Sequence, residues 1–154
     1  QEGGFRMVKH LLFCSDGSRC ANKARETACH LHEVFGCKVS VVCVADIPDD
    51  LKKTEIFKDE DSREILKRYS SGLVAWGKGV LEKDRAFLEE KGVQAAYHLE
   101  KGAPTQAIVR LAKGKEVDLI VIGSRGLSEM TSHLIGSVSD GINHKAPCSV
   151  LIIH

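Results

Sequence analysis

Two segments of the sequence are apolar almost without interruption, and they limit the fold more than any other feature. Residues 38–44 are rich in valine, and residues 117–123 read Val-Asp-Leu-Ile-Val-Ile-Gly. A strand with one face in water alternates apolar and polar side chains, whereas a strand covered by helices on both faces does not. Both segments therefore predict buried strands of a parallel sheet, and the fold class is α/β.

The rest of the chain alternates between strand and helix patterns. Three further strands are predicted, at residues 8–14, 93–99 and 149–153. Of these, 93–99 is the most polar and suits a sheet edge. The helices between the strands are predicted to begin near Ala21, Leu73, Pro104 and Gly136. This order predicts a single-domain, doubly wound parallel sheet with right-handed crossovers and helices on both faces.

Two segments stand outside this pattern. Residues 46–71 contain Pro48, an acidic pair and a mixed-charge run with little apolar period, which predicts a mobile, partly helical connection within the domain. Residues 1–6 precede Met7 and have no apolar core, so we interpret them as a tag remnant or a disordered N-terminus. The domain is expected to span residues 7–154.

Charge and cysteine content narrow the class of partner and the compartment. The chain has 22 basic and 21 acidic side chains and a formal net charge of +1, so no strong field recruits nucleic acid or an acidic membrane. The apolar runs are far shorter than the roughly 20 residues of a membrane span. The six cysteines form no Cys-x-x-Cys pair and nothing identifies a signal peptide, so we expect buried free thiols in a soluble, cytoplasmic protein.

A glycine signature follows the strand at residues 117–123. Glycine lets the backbone approach an anion closely, and the first amides of a helix attract phosphate. The spacing Gly-x2-Gly-x9-Gly-Ser therefore predicts a nucleotide site, and the residues concerned are Gly123, Ser124, Arg125, Gly126, Gly136 and Ser137. The hydroxyls of Ser124 and Ser137 are expected to donate to phosphate oxygens. The alternative is that the glycines only turn the chain and that Ser137 caps a helix.

Asp16 follows the first predicted strand, just as the signature follows the fourth. In open α/β sheets, ligands bind beyond the carboxyl ends of the strands where the strand order reverses. We therefore expect a site between strands one and four, with Asp16 on one side and Gly123 on the other. Asp16 also suits a turn into the first helix, where its carboxylate would accept from free backbone amides, and both interpretations stay open.

Together, Asp16, Val44 and the glycine signature resemble the universal stress protein family over nearly all of residues 7–154. The resemblance implies a five-stranded parallel sheet of order 3-2-1-4-5, which is Rossmann-like and similar to the adenine nucleotide alpha hydrolase fold. It also implies membership of the branch that carries these glycines and binds ATP.

The resemblance assigns roles to single residues. It places Asp16 near the ribose, and Val44 with the backbone near Ile122 and Gly123 against the adenine and ribose. The phosphate cradle that it implies consists of Gly126, Gly136, Ser137 and Val138. Two positions depart from the family pattern: Cys14 stands where relatives often have proline, and Arg125 stands where they often have histidine. Arg125 is expected to add positive charge near the phosphates.

The sequence contains no dedicated metal cage and no evident catalytic base. We expect Mg²⁺ or Mn²⁺ to be held mainly by phosphate oxygens and water. Trp76 has apolar neighbours at helical spacing and is interpreted as a packing residue, not one that stacks on a base. The absence of a P-loop or nucleophile elbow favours a nucleotide-dependent regulatory module in a stress response over an enzyme.

Two alternatives remain beside that function. Slow ATP hydrolysis or nucleotidyl transfer is motivated by Asp16 and Ser124 near the expected phosphates, and a thiol-based redox module is motivated by the six cysteines.

The apolar run at residues 149–153 would be a sheet edge in the family order, and relatives commonly dimerise there. A homodimer through this edge is therefore expected, together with a protein partner whose identity the sequence does not indicate.

Overall fold

The computed structural model describes residues 8–48, 59–127 and 135–154. Five strands form one parallel sheet in the order β3-β2-β1-β4-β5. Their bounds are β1 His10–Cys14, β2 Lys38–Ala45, β3 Ala95–Lys101, β4 Leu119–Gly123 and β5 Ser149–Ile153. The α/β class, the doubly wound topology and the order 3-2-1-4-5 are confirmed, and so is the edge position of the polar third strand.

In the described ranges, four helices cover the two faces of the sheet: α1 Arg19–Phe35, α2 Glu60–Glu90, α3 Pro104–Gly114 and α4 Ser137–Lys145. One buried cluster joins Phe13 of β1 to Ala24 of α1 and Val80 of α2. On the opposite face, Leu12 packs in a second cluster with Ile108 of α3 and Ile142 of α4. Successive residues of β1 therefore point into different cores, which explains why its sequence shows no alternation.

Helix α1 begins close to the predicted position, at Arg19, and ends before Gly36. The Ser18 hydroxyl accepts a hydrogen bond from Ala21 N at 3.2 Å and so satisfies one free amide of the first turn. At the other end, Gly36 adopts the left-handed conformation with φ of 60° and donates its N–H to His32 O. A side chain at position 36 would be strained in that conformation, so glycine ends the helix.

Helix α2 begins much earlier than predicted, at Glu60 and not near Leu73. Asp59 caps it by accepting from Ser62 N at 2.9 Å, and Glu64 pairs with Arg68 one turn later. The first turns have no buried residue and so carry no apolar stripe, which is why the sequence pattern missed them. Residues 60–71 of the predicted connection are thus helical, while residues 49–58 lie outside the described part of the chain, as does the 1–6 segment.

Strands β1 and β4 begin slightly later than the apolar runs that predicted them. The carboxylate of Asp118 accepts from the backbone N–H groups of Lys9 and His10, both at 2.9 Å, and ties the two strands together before their ladder starts. Among the described helices, none has both the length and the apolar character needed to cross a membrane.

Candidate functional site

A cavity of about 710 Å³ opens at the carboxyl ends of β1 and β4. From β1, the strands β2 and β3 are added in order toward one edge of the sheet, and β4 and β5 are then added toward the other edge. Neighbouring crossovers therefore leave the sheet in opposite directions between β1 and β4, which opens a crevice there. The predicted location of the site is where this cavity lies.

One part of the cavity wall is apolar. The strand residues in this part are Cys14 at the end of β1, its β2 partner Val42, and Ile122 near the end of β4. Ile108 reaches the same space from α3. Burial raises the pKa of the Cys14 thiol well above its usual range, and a thiolate at Cys148 would raise it further. The Cys14 side chain is therefore a neutral, weakly polar surface beside the aliphatic ones.

The backbone of Val44 adds a polar edge to this apolar wall. Parallel strands hydrogen-bond through alternate residues, and Ser15 N donates to Val42 O at 2.9 Å, so the peptide groups of Val42 face β1. Val44 lies two residues further on and faces the same side. The β1–β2 register ends with the pair Cys14 and Val42. The N–H and C=O groups of Val44 consequently point toward the cavity that it lines.

Asp16 forms the turn that its sequence position suggested and also lines the cavity. Its Oδ1 accepts from Ser18 N at 2.9 Å, which forms the turn into α1. The side chain also lines the cavity, and its Oδ2 lies so near Gly126 that a Cβ there would be 2.7 Å away. The carboxylate is therefore held in place by the turn and directed across the cavity at the same time.

Glycine is required at the three signature positions for different structural reasons. A Cβ at Gly123 would lie 2.8 Å from the Cys20 carbonyl carbon, so this glycine lets α1 pack closely on β4. Gly126 leaves space for the carboxylate of Asp16. A Cβ at Gly136 would lie 3.2 Å from Ser124 O, in a narrow passage between the β4 exit and α4. All three glycines line the cavity, but close packing within the protein is the first requirement at Gly123.

The amino terminus of α4 opens into the same cavity. Gly136 is the N-cap residue and has no side chain to satisfy the first amides, and the first intrahelical bond runs from Asp140 N to Gly136 O. Ser137 and Val138 belong to this first turn and line the cavity. Their amides and the positive end of the helix dipole provide a place for an anion. Arg125 lines the cavity as well and adds a full positive charge.

Ser124 is the predicted site residue that the structure does not bring to the cavity. Its side chain is buried, and its hydroxyl lies 4.0 Å from Cys20 Sγ. Its backbone N–H donates to Ile153 O at 2.7 Å, and its carbonyl accepts from Gly136 N at 2.6 Å and Ser139 Oγ at 3.0 Å. Ser124 therefore joins β4, β5 and α4, and the expectation that its hydroxyl donates to a phosphate is corrected.

The apolar residues at and just before α4 divide between the core and the cavity. Ile142 is fully buried and Val138 packs against the same core, but Ile135 precedes the helix and is 42% exposed. Ile135 lines the mouth of the cavity together with exposed Leu127. Its side chain therefore belongs to the site and not to the core.

Several cavity residues were not identified from the sequence. Asp46 follows β2, Pro104 begins α3, and Leu73 and Trp76 reach the cavity from α2. Trp76 also packs against the core on the α1 and α2 side, so the predicted packing role is only part of its placement. No sequence signal marks Leu73 or Trp76 as site residues, because their position depends on how α2 docks on the sheet.

Within the described ranges, no cluster of three or more His, Cys, Asp or Glu side chains could hold a metal ion by itself. Among the described residues, Asp16 and Asp46 are the acidic side chains on the cavity wall. An ion with only one or two protein carboxylates would take its other ligands from water and a bound phosphate, as Mg²⁺ commonly does.

These features define a class of protein: a doubly wound α/β domain with a ligand cavity at the switch point and a helix amino terminus directed into it. Within that class, the model of the universal stress protein family matches residues 7–154. The chain belongs to the universal stress protein family.

Individual proteins of known sequence or structure are similar to this chain over nearly their whole length. The universal stress protein YxiE of Bacillus subtilis is 33% identical over 155 residues, covering 96% of this chain and 99% of the relative. The structure of universal stress protein UspA from Lactobacillus plantarum has a TM-score of 0.81 at 20% identity and covers 97% of this chain and 100% of that chain. The universal stress protein from Archaeoglobus fulgidus, solved in complex with dAMP, has a TM-score of 0.66 at 24% identity, with coverage of 97% and 100%.

Proposed function

We propose that this chain binds an adenine nucleotide, with ATP as the expected ligand, and acts as a nucleotide-dependent regulatory module in a stress response. The observation that carries the proposal is one cavity with a free peptide edge at Val44, the Asp16 carboxylate, and the open amino terminus of α4. These groups complement, in turn, a base edge, a ribose and a phosphate chain.

The apolar wall and the Val44 edge suit adenine. A flat base buries apolar area against Cys14, Ile108 and Ile122. The edge of adenine offers an amino donor beside a ring-nitrogen acceptor, which match the C=O and N–H of Val44. Guanine offers an acceptor and a donor in the opposite order, so the same peptide edge would leave its polar groups unpaired.

Asp16 and α4 suit the rest of the ligand. A carboxylate accepts hydrogen bonds from ribose hydroxyls, and Asp16 Oδ2 is free of the turn bond made by Oδ1. The amides of Ser137 and Val138, together with Arg125, suit phosphate oxygens. Asp16 lies beside Gly126 and would share a Mg²⁺ or Mn²⁺ ion with those oxygens. The dAMP complex of the Archaeoglobus fulgidus relative supports an adenine nucleotide as the ligand.

A binding role is favoured over hydrolysis or nucleotidyl transfer. That alternative was motivated by Asp16 and Ser124 near the phosphates, and the Ser124 hydroxyl faces Cys20 inside the protein.

We place the protein in the cytoplasm, which the six free cysteines support. We also propose a homodimer through β5, because this edge strand keeps Val150, Leu151, Ile152 and Ile153 only half-buried.

The proposal is tested on freshly purified protein. The protein is denatured, the released small molecules are identified by mass spectrometry, and the emptied and refolded protein is titrated with Mg-ATP while phosphate release is measured. Retained or readily rebound adenine nucleotide with negligible turnover is the expected result. Failure to retain or rebind any adenine nucleotide would overturn the proposal, and turnover abolished by Asp16→Ala would favour the enzymatic alternative. Light scattering tests the dimer, and a monomer mass at micromolar concentration would refute it.

A further inference from the structure

Helix α2 runs from the carboxyl edge of the sheet to its amino edge, because it connects the end of β2 to the start of the parallel strand β3. All of its buried residues lie between Gly77 and Leu88. The part from Glu60 to Trp76 has none, and at 1.5 Å per residue it is roughly 25 Å long. About half of the helix therefore extends past the sheet, on the side where the cavity opens.

Gly77 fixes the point at which this extension leaves the sheet. A Cβ at position 77 would lie 2.6 Å from Leu99 Cδ1 and 3.6 Å from Cys43 Sγ. The backbone of α2 at Gly77 therefore packs directly against side chains of β2 and β3. Cys43 directly precedes Val44, the residue whose peptide edge faces the cavity. Trp76 directly precedes Gly77, and both Trp76 and Leu73 line the cavity, as Val44 does.

We propose that Trp76 is a base-positioning residue of the nucleotide site and that α2 provides the outer wall for the purine ring. This inference rests on the proposed nucleotide binding and deepens it. The indole is half-buried and packed on the core cluster, so it offers a fixed aromatic face and loses little conformational freedom on binding. Leu73 continues the wall one turn toward the amino end of the helix.

The structure offers a direct probe and a matched control. Trp76 is the only tryptophan in the chain, so its fluorescence reports on this wall alone. Tyr69 is an exposed aromatic residue on the same extension of α2 and does not line the cavity. Trp76→Phe keeps an aromatic face and serves as the conservative variant, while Trp76→Ala removes it.

The experiment measures the binding of ATP and of inorganic tripolyphosphate to each variant by calorimetry, and the emission of Trp76 in the wild-type protein. Trp76→Ala is expected to weaken ATP binding about 10-fold, in the range of one stacked base, and to leave tripolyphosphate binding unchanged. Trp76→Phe and Tyr69→Ala should bind ATP nearly as the wild type does, and ATP should change the Trp76 emission where tripolyphosphate does not.

The possible failures are distinguishable. If the wild-type protein binds no adenine nucleotide, the proposed function itself is wrong. If it binds ATP while Trp76 emission stays constant and Trp76→Ala loses no affinity, only the role of Trp76 is overturned. Equal losses for ATP and tripolyphosphate in Trp76→Ala would also overturn it, because they would show that the side chain does not act on the base. The emission change in the wild-type protein decides the matter even if Trp76→Ala fails to fold.

Discussion

The carboxylate of Asp16 occupies the space that a side chain at position 126 would need: a Cβ on Gly126 would lie 2.7 Å from Asp16 Oδ2. The two residues belong to loops that follow different strands, β1 and β4. Their contact joins the acidic and glycine-rich sides of the cavity. A larger side chain at position 126 should therefore displace the Asp16 carboxylate.

The first prediction follows from that contact. Gly126→Ala should push the Asp16 carboxylate out of position and weaken ATP binding by about 10-fold, which corresponds to ~1.4 kcal/mol. Gly114→Ala is the matched control, because a Cβ at the far end of α3 meets nothing within 4 Å. Calorimetric titration with Mg-ATP compares the two. Equal affinities for both variants would mean that the Asp16 position does not matter for binding.

A second prediction concerns two glycines of α2. Gly79→Ala should raise the free energy of unfolding by roughly 0.5–1 kcal/mol, since alanine favours a helix and its Cβ meets nothing within 4 Å. Gly77→Ala should instead lower that free energy by about 1 kcal/mol, because its Cβ would press on Leu99. Urea denaturation measures both, and a stabilised Gly77→Ala variant would contradict the close contact between α2 and the sheet.

The third prediction concerns the buried ion pair between α1 and α2. Arg25 Nη1 lies 2.9 Å from Asp84 Oδ1, and the side chains are only 14% and 3% exposed. Asp84→Ala leaves the Arg25 charge without its partner and should lower the free energy of unfolding by about 3 kcal/mol. Glu64→Ala breaks the exposed pair with Arg68 and should change it by less than about 0.5 kcal/mol. Similar losses in the two variants would contradict this difference.

The fourth prediction is a pH dependence that originates at His98 on β3. Burial, and secondarily the charge of Lys115, lower the pKa of His98 below its usual value, with Glu100 opposing and His10 adding to the effect. The Nε2 atom is buried without a hydrogen-bond partner among the described residues. The unfolded chain therefore takes up this proton at a higher pH than the folded protein does, so the contribution of His98 to stability is complete above its unfolded pKa and is lost as the pH falls below it.

Urea denaturation at about pH 7.5 and about pH 5.5, on either side of the ordinary histidine pKa, measures this effect. The wild-type protein should lose more stability between the two values than His98→Gln does. His30→Gln is the control, because His30 is exposed on α1, and it should behave as the wild type does. An equal loss in the wild type and His98→Gln would show that another group controls the acid sensitivity.

Much of the fold could be predicted from the sequence, because strands covered on both faces must be apolar on both faces. The bounds of β5, for example, agree with the apolar run at residues 149–153 that follows Pro147. The early start of α2 at Glu60 could not be predicted in this way. Its first turns lie in solvent and are stabilised by the Asp59 cap and local charge pairs, neither of which produces an apolar period.

The site was predictable where single residues follow strand ends and less so where tertiary contacts decide. Asp16 and Gly126 lie in such loops, and the structure brings them together. Ser124 also belongs to the glycine signature, but its backbone N–H donates to Ile153 of β5 and its hydroxyl lies against Cys20 of α1. Trp76 reaches the cavity because α2 packs closely on the sheet at Gly77. The residue pattern of a single helix does not reveal such a contact between elements.

The proposed adenine nucleotide site is the cavity between β1 and β4, with the Val44 edge, Asp16 and the α4 amino terminus as its binding groups. Calorimetric titration of the emptied protein with Mg-ATP and, separately, with Mg-GTP tests it most directly. We predict saturable binding of ATP at one site per chain and at least 10-fold weaker binding of GTP, a difference of ~1.4 kcal/mol. No detectable binding of ATP, or equal binding of both nucleotides, would contradict this account.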